Sequence, residues 1–190
     1  KRRILIGLEL FDTLSQEALD KYVLHKGSER ALLSKTGVKK RWPYPVWKRF
    51  KPILDLARQR GWRVVALDTP THQGANLHER DAHMAKHLVE ALAQSPNDTQ
   101  AFVLVGELHL ARVHLPRAIR EASRSTLTKP LETTVVFQNP GPIYWKLVEA
   151  NLEQEVEAVQ LSPLSFALNS APPIVCLLYT SPSPRDSRRS

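Results

Sequence analysis

Four polar side chains lie where predicted buried strands end, and their types could carry chemistry. Glu9 lies in the apolar run ILIGLELF, and Asp68 closes WRVVALD. His109 follows AFVLVG, with Gly106 three residues before it, and Asn139 ends TTVVFQN. Ligands of open parallel sheets bind beyond the carboxyl ends of the strands. We therefore expect these four strand ends to meet at one edge and to form a ligand site there.

Glu9 is the most informative of these residues, because the apolar residues Leu8, Leu10 and Phe11 flank it and predict its burial. A buried carboxylate must be paired, protonated or bound to a cation, since an isolated buried charge costs too much free energy. Two interpretations stay open for Glu9: a structural salt bridge to an arginine, or a carboxylate of the site.

Gly106 and His109 form a G-x-x-H element after the third strand. Glycine lets the backbone leave a strand sharply and lets a ligand approach closely, and His109 should then project from the loop. Neutral imidazole ligates transition metals and haem iron. The element is weak by itself, and the alternative is an ordinary loop histidine.

A helix predicted over residues 77–94 carries a carboxylate on its apolar stripe. Asp81 falls in the first turn on that stripe, where the macrodipole favours a negative charge but burial requires a partner. Arg80, Glu9 or a bound cation could be that partner. His83 and His87 have the i, i+4 spacing of a zinc-binding pair, but they lie on the polar face and we interpret them as solvated surface.

Two further groups have more than one interpretation. An aromatic cluster in the long connection after the second predicted helix either covers the core, which we favour, or walls a flat apolar ligand such as a porphyrin. The cluster consists of Trp42, Tyr44, Trp47 and Phe50. His72 and His78 lie in the loop before the Arg80 helix, and the sequence leaves their roles undecided.

The elements that must position these groups alternate between strand and helix. Short, nearly continuous apolar runs at 4–10, 62–68, 101–106 and 133–139 predict strands, and helices are predicted at 46–60, 77–94 and 116–123. Such alternation predicts an α/β fold with a mainly parallel sheet flanked by helices and with right-handed crossovers. The ligand site is expected at the carboxyl ends of the strands.

Charge and composition exclude some classes of function. The 27 Lys and Arg against 19 Asp and Glu give a net charge of +8. Part of that excess lies at the chain ends, and no nucleic-acid-binding motif accompanies it, so we expect a solvated surface and no nucleic-acid partner. Cys176 is the single cysteine, which excludes an internal disulfide. No apolar run approaches the roughly 18 residues of a membrane-spanning helix.

Both ends of the chain look artificial. The first strand begins almost at once in KRRILIGLEL, so we expect the natural start to be missing. CLLYTSPSPRD, from Cys176 to Asp186, resembles the translation of a transposase sequencing adapter; the alternative is a natural disordered Ser/Pro/Arg-rich tail. We predict one α/β domain over 1–175, incomplete at its N-terminus, and a disordered, non-native tail over 176–190.

Several linked motifs resemble the ChaN family of haem-binding uptake proteins, within the Tiki and erythromycin-esterase-like superfamily. They run in order from about residue 4 to residue 122 and comprise ILIGLELFDTLSQEALDKYV, WPYPVWKRFKPILDLAR, VVALD, ERDAHMAKHL and VLVGELHLA. VVFQNPGPIYWKLVE and EVEAVQL resemble the C-terminal extension of one bacterial branch.

The resemblance implies an α/β fold with its site at the strand ends. It maps the family's site residues onto Glu9, Arg80, Asp81, Gly106 and His109. The family also has an earlier strand ending in G-[DE]-x-H, which is absent here and is expected before Lys1. Half of the family's ligand set is therefore expected to be missing.

Two functions follow from the resemblance. The first is a haem- or iron-binding protein, in iron uptake, with a homodimer around the haem as one arrangement. The second is a metal-dependent hydrolase like Tiki peptidases or erythromycin esterases. There His109 would bind a divalent transition metal ion or act as general base, and Glu9 or Asp81 would ligate or activate water. A third interpretation keeps the fold without either activity. We expect a bacterial protein of the cell envelope or cytoplasm.

Overall fold

The computed structural model describes residues 3–42, 46–70 and 75–173. The chain divides into two compact units, Lys1–Glu132 and Thr133–Ser190. The expected tail over 176–190, together with Tyr44 and His72, lies outside the described residues. The single domain expected over 1–175 stays a prediction.

The first unit has the predicted α/β class, which is confirmed, and its described residues form three strands and six helices that alternate along much of the chain. The strands are β1 (Arg3–Asp12), β2 (Arg63–Asp68) and β3 (Thr99–Leu104). The helices are α1 (Gln16–Val23), α2 (Glu29–Thr36), α3 (Val38–Arg41), α4 (Val46–Arg60), α5 (Leu77–Ala93) and α6 (Leu115–Thr126). Short 3₁₀ turns follow β1 and β3, at Thr13–Ser15 and Glu107–Leu110.

The three strands form one parallel sheet, sheet A, in the order β2-β1-β3. Near the carboxyl end of the central strand, Leu8 pairs with Ala66 on one side and with Leu104 on the other. This register brings the three carboxyl ends to one edge. Ile6 belongs to the apolar cluster on one face of β1 and Leu5 to the cluster on the other. Burial on both faces explains the nearly continuous apolar sequence of this strand.

The local sequence explains where helix α5 begins and where helix α4 ends. Asn76 and Glu79 form a capping box that starts α5, since each side chain accepts from the other residue's backbone N–H. Helix α4 ends at Gly61, whose φ of 63° suits glycine. Pro52 lies inside α4, which begins at Val46 as predicted. Trp47 is buried in the core next to the partly buried Trp42 and Phe50, and these three aromatic residues cover the core as favoured.

The second unit contains β4 (Val135–Gln138), α7 (Gly141–Glu149), β5 (Ala158–Ser162) and β6 (Ser165–Leu168). Its sheet, sheet B, has the order β4-β6-β5, with β4 parallel and β5 antiparallel to β6. The expectation that Asn139 shares the strand edge of Glu9 and Asp68 is therefore wrong, because β4 pairs in a different sheet. Asn139 has a positive φ of 50°, and its Oδ1 accepts from the backbone N–H groups of Ser170 and Ala171.

None of the helices in the described part of the chain is both long enough and apolar enough to cross a membrane.

Gly7 leaves room for close packing in the middle of sheet A. A Cβ at this position would lie 2.7 Å from Cδ1 of Leu67, which is fully buried. We predict that Gly7→Ala lowers the free energy of unfolding by about 1–3 kcal/mol, because the buried Leu67 must shift. Urea unfolding measures the change. Gly27→Ala is the control, since its Cβ would make only ordinary contacts. Equal stability of Gly7→Ala and wild type would contradict this packing.

Candidate functional site

Glu9 is the centre of a charged cluster at the carboxyl edge of sheet A. Glu9 is buried, with 8% of its surface exposed to solvent. Oε1 accepts from Nη2 of Arg80 at 2.7 Å, and Oε2 accepts from the backbone N–H of Gly106 at 2.6 Å. Nε2 of His109 lies 3.3 Å from Oε1. The salt bridge to an arginine that the sequence left open is thus present, and Arg80 is its partner.

Arg80 links the ends of two neighbouring strands. It lies in the first turns of α5, and its Nη2 and Nε contact Oδ1 of Asp68 at 3.0 and 3.2 Å. The same guanidinium holds Glu9 of β1, so one cation neutralises a carboxylate from each strand. The capping box that fixes the start of α5 also fixes the position from which Arg80 reaches the edge.

His109 is buried inside the edge, which corrects the expectation that it projects from a loop. It is 2% exposed and lies in the 3₁₀ turn Glu107–Leu110, where its N–H donates to the carbonyl of Gly106. Its Nδ1 lies 2.6 Å from Oδ1 of Asp81, and its Nε2 faces Glu9. The imidazole lies inside because the buried carboxylates of Glu9 and Asp81 each need a cationic or N–H partner.

Gly106 has a role other than the one that the sequence suggested. Its φ of −63° and ψ of 153° are ordinary extended values that any residue adopts. A Cβ added there would lie 3.5 Å from Oε2 of Glu9, an ordinary contact. What Gly106 contributes is its backbone N–H, which donates to the buried carboxylate.

The pKa values of Glu9 and His109 are shifted in opposite directions. Burial alone would raise the pKa of Glu9, but His109, the Gly106 N–H and Arg80 outweigh it and lower that pKa from 4.5 to about 2. Burial alone would lower the pKa of His109, but hydrogen bonds and charge from Glu9 and Asp81 outweigh it and raise that pKa above 6.5. The pair therefore favours a carboxylate beside an imidazolium.

The imidazoles of His78 and His114 lie beside the cluster, and the sequence did not single out His114. Nδ1 of His114 lies 2.9 Å from Oδ2 of Asp81, and the ring of His78 lies 4.9 Å from the ring of His114. His78 is exposed and His114 half-buried. His114 could have been found because it directly precedes Leu115 and Pro116, a typical helix start, and so lies at the N-terminus of α6.

The other predicted histidines lie apart from the carboxylates of the cluster. His83 and His87 contact each other with ring centroids 4.4 Å apart. Nε2 of His83 lies 3.5 Å from the hydroxyl of Thr13, and Nδ1 of His87 lies 4.0 Å from Glu90. Among the described residues, His78 and His114 instead have ligand atoms that converge with Asp81 in an arrangement that could hold a metal ion.

Exposed apolar side chains occur in the loops that follow β1 and β3. Leu14 is 80% exposed, Leu108 is 75% exposed and Val113 is 58% exposed. These loops are the ones that leave the carboxyl edge of sheet A. The edge therefore combines buried charges with apolar side chains that face solvent.

A protein-family model and a solved structure match this chain. The family described as "Haem-binding uptake, Tiki superfamily, ChaN" matches residues 1–79, which confirms the resemblance over that part of the chain. One solved structure that this chain is similar to is the crystal structure of RRSP, a MARTX toxin effector domain from Vibrio vulnificus CMCP6, at 26% identity and a TM-score of 0.40. The match covers 57% of this chain and 22% of that one, so this chain spans less than a quarter of that structure's length. No curated protein matches the chain.

Glu9 should stabilise the fold in a pH-dependent way. Its depressed pKa means that its stabilisation is complete above pH 4.5 and is lost as the pH falls through about 2. We predict that Glu9→Gln costs about 3 kcal/mol of unfolding free energy at neutral pH, and that its difference from wild type shrinks between pH 4.5 and 2. Unfolding in urea across this range tests it. The exposed Glu107→Gln is the control, and a pH-independent difference for Glu9→Gln would refute the assignment.

His109 should show the opposite dependence. Because its folded pKa is raised above 6.5, its stabilisation is complete below pH 6.5 and fades as the pH rises through the folded value. We predict that His109→Gln costs about 2 kcal/mol at pH 6, through lost hydrogen bonds to charged groups, and less at higher pH. Denaturant unfolding at several pH values provides the measurement, with His83→Gln as the control. A loss that grows with pH would be inconsistent with an imidazolium here.

Proposed function

Because residues 1–79 match the family model for haem-binding uptake proteins, we propose that this protein binds haem at the carboxyl edge of sheet A and serves in iron uptake. The matched segment contains β1 and β2, and so Glu9 and Asp68. Exposed apolar side chains at this edge suit the flat face of a porphyrin, and haem would supply an iron centre for a ligand from the protein.

The arrangement of Asp81 and His114 is the observation that carries this proposal. A histidine that ligates a metal through one ring nitrogen usually donates the other N–H to a carboxylate, which fixes its tautomer and makes it a better ligand. Nδ1 of His114 faces Oδ2 of Asp81 in this way, which leaves Nε2 for the iron. No hydrogen bond joins Nε2 of His114 to another residue in the described part of the chain.

His109 then has a supporting role instead of the ligand role that the resemblance implied. Both of its ring nitrogens face carboxylates, Asp81 and Glu9, so neither offers a lone pair outward. It holds Oδ1 of Asp81 in place while Oδ2 orients His114. Glu9, Arg80 and Gly106 complete the buried support. Arg112, an exposed cation two residues before His114, is of a type that pairs with a haem propionate.

The hydrolase alternative receives less support from the same geometry. A general base works best with a pKa near the working pH. The pKa of Glu9 is lowered to about 2, and the raised pKa of His109 favours the imidazolium, which has no lone pair to accept a proton. The proposal includes a homodimer around the haem and no nucleic-acid partner.

A haemin titration tests the proposal. We predict a shifted Soret band on addition of haemin to the wild-type protein, and a loss of that shift in His114→Ala, because the axial ligand is removed. His83→Ala is a matched control, a half-buried histidine on the neighbouring face of α5. The absence of any spectral change in the wild type, or an unchanged titration in His114→Ala, would overturn the proposal.

A further inference from the structure

Three side chains beside the buried charged cluster converge as ligands would. His78, Asp81 and His114 each offer one ligand atom, and these atoms all lie within 4.8 Å of one another. His78 and Asp81 are three residues apart on α5, so they share one face of the helix, and His114 reaches the same place from the start of α6.

We propose that His78, Asp81 and His114 bind a divalent first-row transition-metal ion directly, without a porphyrin. Two imidazoles and one carboxylate on one side of an ion leave its other positions open, and this donor set suits Zn²⁺, Co²⁺ or Fe²⁺. The inference goes beyond haem binding and does not rest on it, because it uses His78, which the haem proposal leaves unused.

The support around Asp81 is that of a metal-ligating carboxylate. Its Oδ1 is held by Nδ1 of the buried His109 at 2.6 Å, while its Oδ2 is turned toward His114. The carboxylate is 2% exposed as a side chain, so its orientation is fixed by packing. Partners of this kind hold a ligand in position and tune its basicity.

The electrostatics of the edge also favour a cation. The buried carboxylate of Asp81 lies against the imidazole of His114, and the exposed imidazole of His78 lies on the same side. The N-terminus of α5 opposes a cation through its macrodipole, but the carboxylate of Glu79 closes the capping box there and offsets it.

A hydrogen bond alone accounts for only part of the cluster. Without an ion, Nδ1–H of His114 donates to Asp81, and that explains these two residues. It gives no reason for His78, an exposed imidazole whose ring lies 4.9 Å from that of His114. A shared ion gives both imidazoles and the carboxylate one function.

Titration with Co²⁺ tests the inference, since its visible d–d bands report a site with nitrogen and oxygen ligands. We expect the wild type to develop these bands with one equivalent of Co²⁺ and to lose them when excess Zn²⁺ is added. His78→Ala removes a ligand at an exposed position and should leave folding, followed by circular dichroism, unchanged. Its Co²⁺ affinity should fall by more than the about 10–100-fold that loss of a supporting partner such as His109 costs.

Two controls identify the ligands. The double variant His83→Ala/His87→Ala removes the other histidine pair of α5, and Cys176→Ser removes the one thiol; both should bind Co²⁺ as the wild type does. Equal binding by His78→Ala and wild type, loss of binding in either control, or a wild type that binds no Co²⁺ would each overturn the inference. Haemin separates it from the haem proposal: His78→Ala should lose Co²⁺ but keep the Soret shift.

Discussion

The buried carboxylate of Glu9 is the constraint on which the rest of this edge depends. It lies in the central strand of a parallel sheet, where water cannot solvate it, and removing one partner of such a buried pair typically costs several kcal/mol. Three groups stabilise this charge: a guanidinium from α5, a backbone N–H after β3 and an imidazole from the following turn. These groups come from α5 and from the loop after β3, so one buried charge constrains both segments.

The buried charges form an alternating line across the edge. Asp68, Arg80, Glu9, His109 and Asp81 follow one another with opposite signs, and His114 ends the line near the surface. Each cation lies between two carboxylates, which spreads its charge and limits the cost of burial. The line also connects the interior of the sheet to an imidazole that a ligand can reach.

Much of the fold could be predicted because its signals are local. The apolar run of β1 and the apolar stripe of α5 identify their elements without reference to the rest of the chain. The chemical requirement that Glu9 be paired was equally visible, as was the inward position of Asp81 on its helix. The identity of the partner was not, because Arg80 and Glu9 are 71 residues apart and only the tertiary fold brings helix α5 to the end of β1.

The misplaced residues share a cause. His109 was expected to project outward, but the two carboxylates that draw it inward come from β1 and α5, which the loop sequence does not contain. Asn139 was placed at the wrong edge because a strand's own sequence does not say which sheet it joins; β4 pairs with β6 instead. His114 was passed over because its importance comes from Asp81, a residue 33 positions away.

The sequence separations of these contacts have a consequence for folding. Gly106 and Glu9 are 97 residues apart, and His109 and Asp81 are 28 apart. Contacts between distant residues close large loops, and the entropy of that closure has to be overcome before the contacts form. The charged cluster at the carboxyl edge of sheet A therefore requires that β1, β2 and β3 have paired. A ligand that bound there would bind only the folded chain. By mass action it would therefore lower the fraction of chains that are unfolded.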